Sequence, residues 1–302
     1  MKEKTVHENL AIINLDTGEI LDIPVDELIE KKQRETIQEW KVDEDKRLRK
    51  ESINVLGGNY YNIVYPVMGA LFGDISNANL FRLLYAASFM NRVNQLVEDK
   101  KQMTLPDLRK KMKLTKEVFN GFYEEVKKAG LLFTDEDGFL YLNAKPFIKG
   151  TIQNTSMKYN NYKKISTKAI RWLYEDCKNA KNHGIFGRFY RIIPRVNTTF
   201  NILCYNPAET DLTKIKPISE YKALEYMEVC TSLKKKFKEV SEYKLRNNWL
   251  IRTKEIKVGE DTREMIFINP MFYHANPTCV NDFVLNIFKR EPLEVENVDG
   301  MA

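Results

Sequence analysis

Lys234, Lys235, Lys236 and Lys238 crowd into one short stretch of this chain, with Ser232 just ahead of them. Ammonium groups and a hydroxyl at that spacing suit phosphate oxygens and base edges rather than bond-breaking chemistry. On a helix turning about 100° per residue, Lys234, Lys235 and Lys238 share one side away from Phe237, and Lys236 lies nearer the flank. A second basic set, Arg252, Lys254, Lys257 and Arg263, surrounds the turn Gly259-Glu260-Asp261-Thr262. That placement suits straddling a backbone or entering a minor groove. A third set sits in the first half: Arg109, Lys110, Lys111 and Lys113 on one short helix suit lying across a backbone, and Lys116 opens the next helix, where glutamates balance the lysines. On charge alone, solvated helix and strand faces explain all three sets equally well.

Catalytic chemistry finds no comparable set. The histidines His7, His183 and His274 form no His-x-His pair, so a rolling-circle nicking endonuclease would lack its metal site. Lys149-Gly150-Thr151 does not fit a P-loop, and Asp135-Glu136-Asp137-Gly138 is too short for a calcium loop and reads as a hairpin turn. Cys177, Cys204, Cys230 and Cys279 lie far apart, against both a zinc cluster and a disulfide framework. The expectation is a non-enzymatic protein with no cofactor and no metal.

The elements that would position the basic sets can be read from caps and periodicity. Ser219 caps an apolar-periodic run (Ala223, Leu224, Met227), the pattern breaks at Val229-Cys230, and Thr231 opens a second helix to about Leu245 with Leu233, Phe237 and Val240 on one side. Trp249 to Val258 and Met265 to Ile268 then read as a hairpin. Helix, turn, helix, hairpin is the order of a winged helix-turn-helix.

The first half has the same order. Asn77 caps a long helix running through Leu80, Phe81, Leu84, Tyr85, Val93 and Leu96. Thr104 caps a short helix, Leu114 turns the chain, and Thr115 caps another with Phe119, Phe122 and Val126 inward, ended by Gly130. A hairpin around Asp135–Gly138 follows. Both hairpins leave through similar segments, Asn143-Ala144-Lys145-Pro146-Phe147 and Asn269-Pro270-Met271-Phe272-Tyr273, which suits a duplicated domain rather than a solenoid.

The predicted fold class is α+β, mostly helical, with two winged helix-turn-helix modules behind an N-terminal hairpin and charged extension. The expected divisions are 1–58 for the hairpin and extension, 59–150 for the first module, 151–165 for a linker, 166–290 for the second module and 291–302 for an acidic tail. The hairpin, from Ile12-Ile13 and Ile20-Leu21, is either a packing flap or a contact in a homodimer. The 302 residues carry a net charge of +6, split as −4 over 1–58, +3 over 59–150, +11 over 151–290 and −4 over the tail. Basic charge concentrated in the second half is the footprint of a polyphosphate partner. No apolar run reaches membrane-spanning length and the first residues lack a signal-peptide layout, so the expected compartment is the cytoplasm, without a membrane partner.

The segments Ile268-Asn269-Pro270-Met271-Phe272-Tyr273, Asn62-Ile63-Val64-Tyr65-Pro66 and Leu114-Thr115 resemble winged-helix proteins of Gram-positive plasmids and phages, including the RepL-type replication proteins. The resemblance covers roughly 60–150 and 215–290, and the tandem arrangement and N-terminal extension depart from it. It implies double-stranded DNA binding by the helix after each turn, in replication initiation or transcriptional control within a bacterial host, with host replication or transcription proteins as further partners. The rival expectations are a winged-helix adaptor that binds protein alone, and an RNA-binding protein.

Overall fold

The computed structural model describes residues 12–13, 20–21, 33–36, 38, 59–64, 75–150, 162–177, 179–227, 241–245, 248–274 and 282–288. From Thr231 to Val240 the expected reader helix lies outside the described residues, as do the linker residues 151–161, most of the charged extension and the acidic tail. Its expected end near Leu245 is overturned, because Lys244–Leu245 form a strand paired with Asn248–Trp249. The chain divides into two units, Met1–Lys50 and Glu51–Ala302. In the smaller, strands β1 (Ile12–Ile13) and β2 (Ile20–Leu21) pair antiparallel as the expected hairpin.

The larger unit is α+β, with helices and small antiparallel sheets. Its first half begins with β3 (Tyr60–Val64) and helix α1 (Asn77–Ala87), followed by an extended arm carrying the two-residue strands β4 (Val97–Glu98) and β5 (Lys101–Gln102). Then come α2 (Leu105–Met112), α3 (Lys116–Lys128), the hairpin β6 (Leu132–Thr134) and β7 (Leu140–Leu142), and β8 (Phe147–Ile148). The second half begins with β9 (Tyr162–Ser166), α4 (Thr167–Asp176) and α5 (His183–Arg191). An arm through Val196–Cys204 leads to α6 (Glu220–Tyr226). The small ladder β10 (Lys244–Leu245) and β11 (Asn248–Trp249) precedes the long hairpin β12 (Ile251–Val258) and β13 (Asp261–Ile268), then β14 (Tyr273–His274) and α7 (Asp282–Phe288).

One four-stranded antiparallel sheet, in the order β14-β9-β3-β8, takes two strands from each half. Its register is symmetric. Tyr60 pairs with Ser166, Asn62 with Lys164 and Val64 with Tyr162, so a two-fold axis through the Asn62–Lys164 pair exchanges β3 and β9. The same operation carries Ile63 paired with Phe147 onto Ile165 paired with Tyr273, and Asn62 paired with Ile148 onto Lys164 paired with His274.

The arms repeat the correspondence bond for bond. Leu96 N–H donates to Leu140 O at 2.8 Å, and Leu203 N–H to Ile266 O at 2.9 Å. Leu142 N–H donates to Asn94 O at 2.8 Å, and Ile268 N–H to Asn201 O at 2.9 Å. Asn94 and Asn201 both adopt the left-handed region, with φ of 62° and 51°, and their side-chain amides donate to Phe147 O at 2.7 Å and Tyr273 O at 2.9 Å. After the hairpins, the Asn143 and Asn269 side chains accept from the N–H two residues on, each at 2.9 Å, and donate back to Gly130 O and Trp249 O, each at 2.8 Å.

Helices α1 and α5 occupy corresponding places and pack together. Phe81 of α1 meets His183, Phe186 and Tyr190 of α5 within 5.2–6.3 Å between ring centroids. Gly187 lies against the Asn77 backbone, where even a Cβ would fall inside the van der Waals radius of the carbonyl. Burying each such aromatic ring contributes about 1.5–3 kcal/mol. A second, smaller core forms where Val258, Met265 and Phe267 pack on Ile202, Cys204, Ile215 and α7.

Several boundaries differ from the sequence reading. Helix α1 is capped by Ser76, whose hydroxyl accepts from Asn79 N–H, and it ends at Ala87 rather than running to Leu96. The Asn91 carboxamide accepts from Val93 and Gln95 N–H, and left-handed Asn94 then turns the chain, so Leu96 is buried in the arm and Val93 is exposed. Residues 162–165, expected in the linker, lie in β9 at the centre of the sheet.

Candidate nucleic-acid interface

In the first half the basic set is positioned by two caps and a tight turn. Thr104 and Asp107 form a capping box: Asp107 Oδ2 accepts from Thr104 N–H at 2.9 Å and from its hydroxyl at 2.7 Å. The hydroxyl, then the N–H, hold the Asp107 carboxyl below its ordinary pKa. Helix α2 ends at Lys113 in the left-handed region, φ 52°, and Thr115 caps α3 two residues later. Gly130, φ 66°, closes α3: its N–H donates to Lys127 O and the Leu131 N–H to Val126 O, each at 2.9 Å, satisfying the last carbonyls.

This geometry exposes Arg109, Lys110, Lys113 and Lys116 around the turn, while Lys111 is partly covered and paired with Glu98. Helix α3 buries Phe119, Phe122, Tyr123 and Val126 and presents Lys116, Glu117, Val118, Asn120, Gly121 and Glu124 to solvent. Glu125 turns inward instead. It accepts from Ser76 N–H and, at 2.6 Å, from the Asn79 carboxamide at the start of α1. One of the three glutamates that balance the lysines of α3 in the sequence is thus withdrawn from its outer face. Asn120 and Gly121 were invisible to a count of charges; a count of positions on the side opposite Phe119 and Phe122 finds them.

The turn is tied to the other half. The Tyr174 hydroxyl of α4 donates to Met112 O at 3.1 Å, beside a cavity of about 380 Å³ lined by Lys113, Leu114, Tyr85 and His183. Behind it Arg82 donates to Asn79 Oδ1 at 2.6 Å and to His183 Nδ1 at 3.2 Å. Burial, reinforced by the Arg82 charge, lowers the His183 pKa to about 4.

In the second half Ser219 caps α6 as its sequence indicates, and Ala223, Leu224 and Met227 are buried. Ser232, Lys234, Lys235, Lys236 and Lys238 follow in chain order and lie outside the described residues. In the hairpin, Lys254 and Lys257 are exposed on opposite faces. The two arginines are engaged: Arg252 donates to Ile287 O at 2.8 Å, holding α7, and Arg263 donates to Thr213 O at 2.9 Å and pairs with Asp261 at 3.3 Å.

Other basic residues are internal. Lys163 and Lys164 are buried in β9; Lys163 donates to Val196 O at 3.0 Å, and burial lowers its pKa to about 8. Arg171 donates to Ser88 Oγ at 2.9 Å and Ser88 O at 2.7 Å, and Arg191 bonds Asn77 Oδ1 and Ile75 O. Arg188, Arg191 and Arg195 are partly covered. Among the described residues no helix is long and apolar enough to cross a membrane.

Comparisons with protein-family models, with curated proteins and with solved structures returned no match.

Proposed function

We propose that this is a double-stranded DNA-binding protein without catalytic activity, built of two winged helix-turn-helix modules. The observation that carries the reading is the order in the first half: α1, an arm hydrogen-bonded to β7, α2, a left-handed turn at Lys113, α3, and the hairpin β6–β7. In a winged helix-turn-helix the helix after the turn enters the major groove. Here that helix offers Lys116, Asn120 and Glu124, with Val118 as an apolar contact, while Arg109, Lys110 and Lys113 flank it for phosphates. An asparagine amide can pair with adenine, and a valine can meet a thymine methyl. In the second half the corresponding set is Ser232, Lys234, Lys235, Lys236 and Lys238 with Lys254 and Lys257.

The setting of a phage or plasmid, and the choice of replication initiation or transcriptional control, rest on the resemblance of residues 268–273 and 62–66 to RepL-type proteins. Deleting the gene and comparing DNA copy number with transcript levels separates those two roles. One feature favours the second reading, a protein-binding adaptor: the first hairpin carries acidic Asp135-Glu136-Asp137 at its tip and exposes Phe133 stacked on Tyr141 at 5.9 Å.

Gel-shift titration over increasing salt decides between the readings. Six or more phosphate contacts give a log–log slope of about −5 or steeper. Absence of any shift at low salt leaves the adaptor.

A further inference from the structure

We infer that one copy of this chain offers its two halves to DNA about an internal two-fold axis, so that its target is an imperfect inverted repeat with unequal half-sites, filled by a single chain. The inference rests on the DNA-binding reading above.

The axis is defined by several independent sets of contacts. It passes through the Asn62–Lys164 pair, exchanges the edge strands β8 and β14, and relates the paired arms and the asparagines Asn94 with Asn201 and Asn143 with Asn269. Helices α1 and α5, which occupy corresponding places, pack against each other. The capped helices α2, opened at Thr104, and α6, opened at Ser219, follow their arms through matching bonds, Met103 N–H to Leu96 O at 2.9 Å and Ile218 N–H to Leu203 O at 3.0 Å.

A two-fold axis sets corresponding surfaces at equal height on either side of itself, and surfaces that look along the axis face the same way. Duplex DNA has its own two-fold axes perpendicular to its length, and a symmetric pair of readers that shares one meets blocks of opposite orientation. Symmetric homodimers use two chains for this; here the chain contains both halves. The half-sites are unequal because the corresponding surfaces differ. Counted from their caps, exposed Arg109 and Lys110 of α2 correspond to buried Leu224 and to Glu225 of α6, the latter paired with Lys222 at 2.7 Å. The hairpin tips carry Asp135, Glu136 and Asp137 in one half and Lys257 beside Glu260 and Asp261 in the other.

The test starts with selection of bound duplexes from a random pool by the full chain at low salt, followed by footprinting and native mass spectrometry of the complex. Two protected blocks in inverted relation, one chain per duplex, and a fall of at least about 30-fold in affinity when one block is reversed would support the inference. The double variant Lys110→Glu/Lys113→Glu, on exposed positions, should lose protection of one block and keep the other, with an unchanged melting temperature. A single block, a preference for direct repeats, or two chains per inverted repeat would overturn the internal dyad while leaving DNA binding intact. Recovery of no duplex at all would overturn the DNA-binding reading itself, and the inference with it.

Discussion

The two halves of the larger unit share a frame and differ in what they expose. Arms, exit turns and central strands correspond down to individual hydrogen bonds. The side chains on them do not. At corresponding positions of the central sheet, Tyr61 donates its hydroxyl to Leu84 O at 2.8 Å and Lys163 its ammonium to Val196 O at 3.0 Å. A phenol and an amine thus do the same task, donating to a carbonyl near a helix end. The outer surfaces diverge further: exposed Phe133 beside Asp135–Asp137 on the first hairpin, and Lys254 and Lys257 among exposed Glu255, Glu260, Asp261 and Glu264 on the second. The lesson is that backbone pairing fixes the frame while exposed positions remain free to specialise.

The comparison breaks most severely at Gly187. Gly187→Ala forces α5 away from the Asn77 backbone, at a cost of about 3 kcal/mol or more. In a unit of this size that lowers the melting temperature by roughly 6–12 °C. An unchanged melt would mean that the helices can separate without loss.

Charge reversal sharpens the functional contrast. Lys234, Lys235 and Lys238 changed together to Glu should weaken DNA binding about 100-fold or more at moderate salt, because several phosphate contacts become repulsive. The triple change of Arg109, Lys110 and Lys113 to Glu should cost less, about 10-fold, because the neighbouring surface already carries acidic groups. Equal losses in gel-shift titrations would remove the proposed inequality between the halves.

Asn94→Ala and Asn201→Ala probe whether the frames are energetically equivalent. Each loses an amide donor and places alanine in the left-handed region, together about 2–3 kcal/mol. The two denaturant-derived losses should agree within about 1 kcal/mol, and Asn→Gly should recover part of each. Widely different losses would mean that matching geometry hides unequal loads.

The smallest effect belongs to His183, which has no histidine counterpart. The fold accommodates its neutral form, with a pKa lowered to about 4 by burial and by Arg82. As pH falls below the ordinary value near 6.5, the unfolded chain takes the proton first. Stability supplied by the neutral ring is therefore present above about pH 6.5 and lost progressively towards pH 4. About 1 kcal/mol should go between pH 6.5 and 5.5. His183→Gln should flatten that slope in melting curves; a slope unchanged by the substitution would assign it to other groups.

Much of the local framework was legible in the sequence because capping is local. Thr104, Thr115 and Ser219 each start a helix as their spacing to the following apolar residues predicts, and Gly130 ends one. Periodicity overran at α1, since Val93 and Leu96 continue the apolar spacing and nothing in a period announces that Asn91 and Asn94 will turn the chain. The central sheet was not legible: its short strands pair across long stretches of sequence, and Lys163-Lys164 reads as part of a linker until Val196 O and the Tyr60 ring are brought to it. The same applies to the interface. Arg109, Lys110, Lys113 and Lys116 lie exposed around one turn, but charge alone gave no sign that Arg252 and Arg263 would be held by Ile287 and Thr213 carbonyls.

A sheet stitched from β3 and β8 of one half and β9 and β14 of the other has a bearing on dosage. Partners that meet by collision drift apart when scarce, and their joint occupancy of a site then falls with the square of their abundance. Dilution cannot part these two. On the DNA-binding reading proposed above, occupancy of a site by even a few molecules per cell would rise in simple proportion to their number.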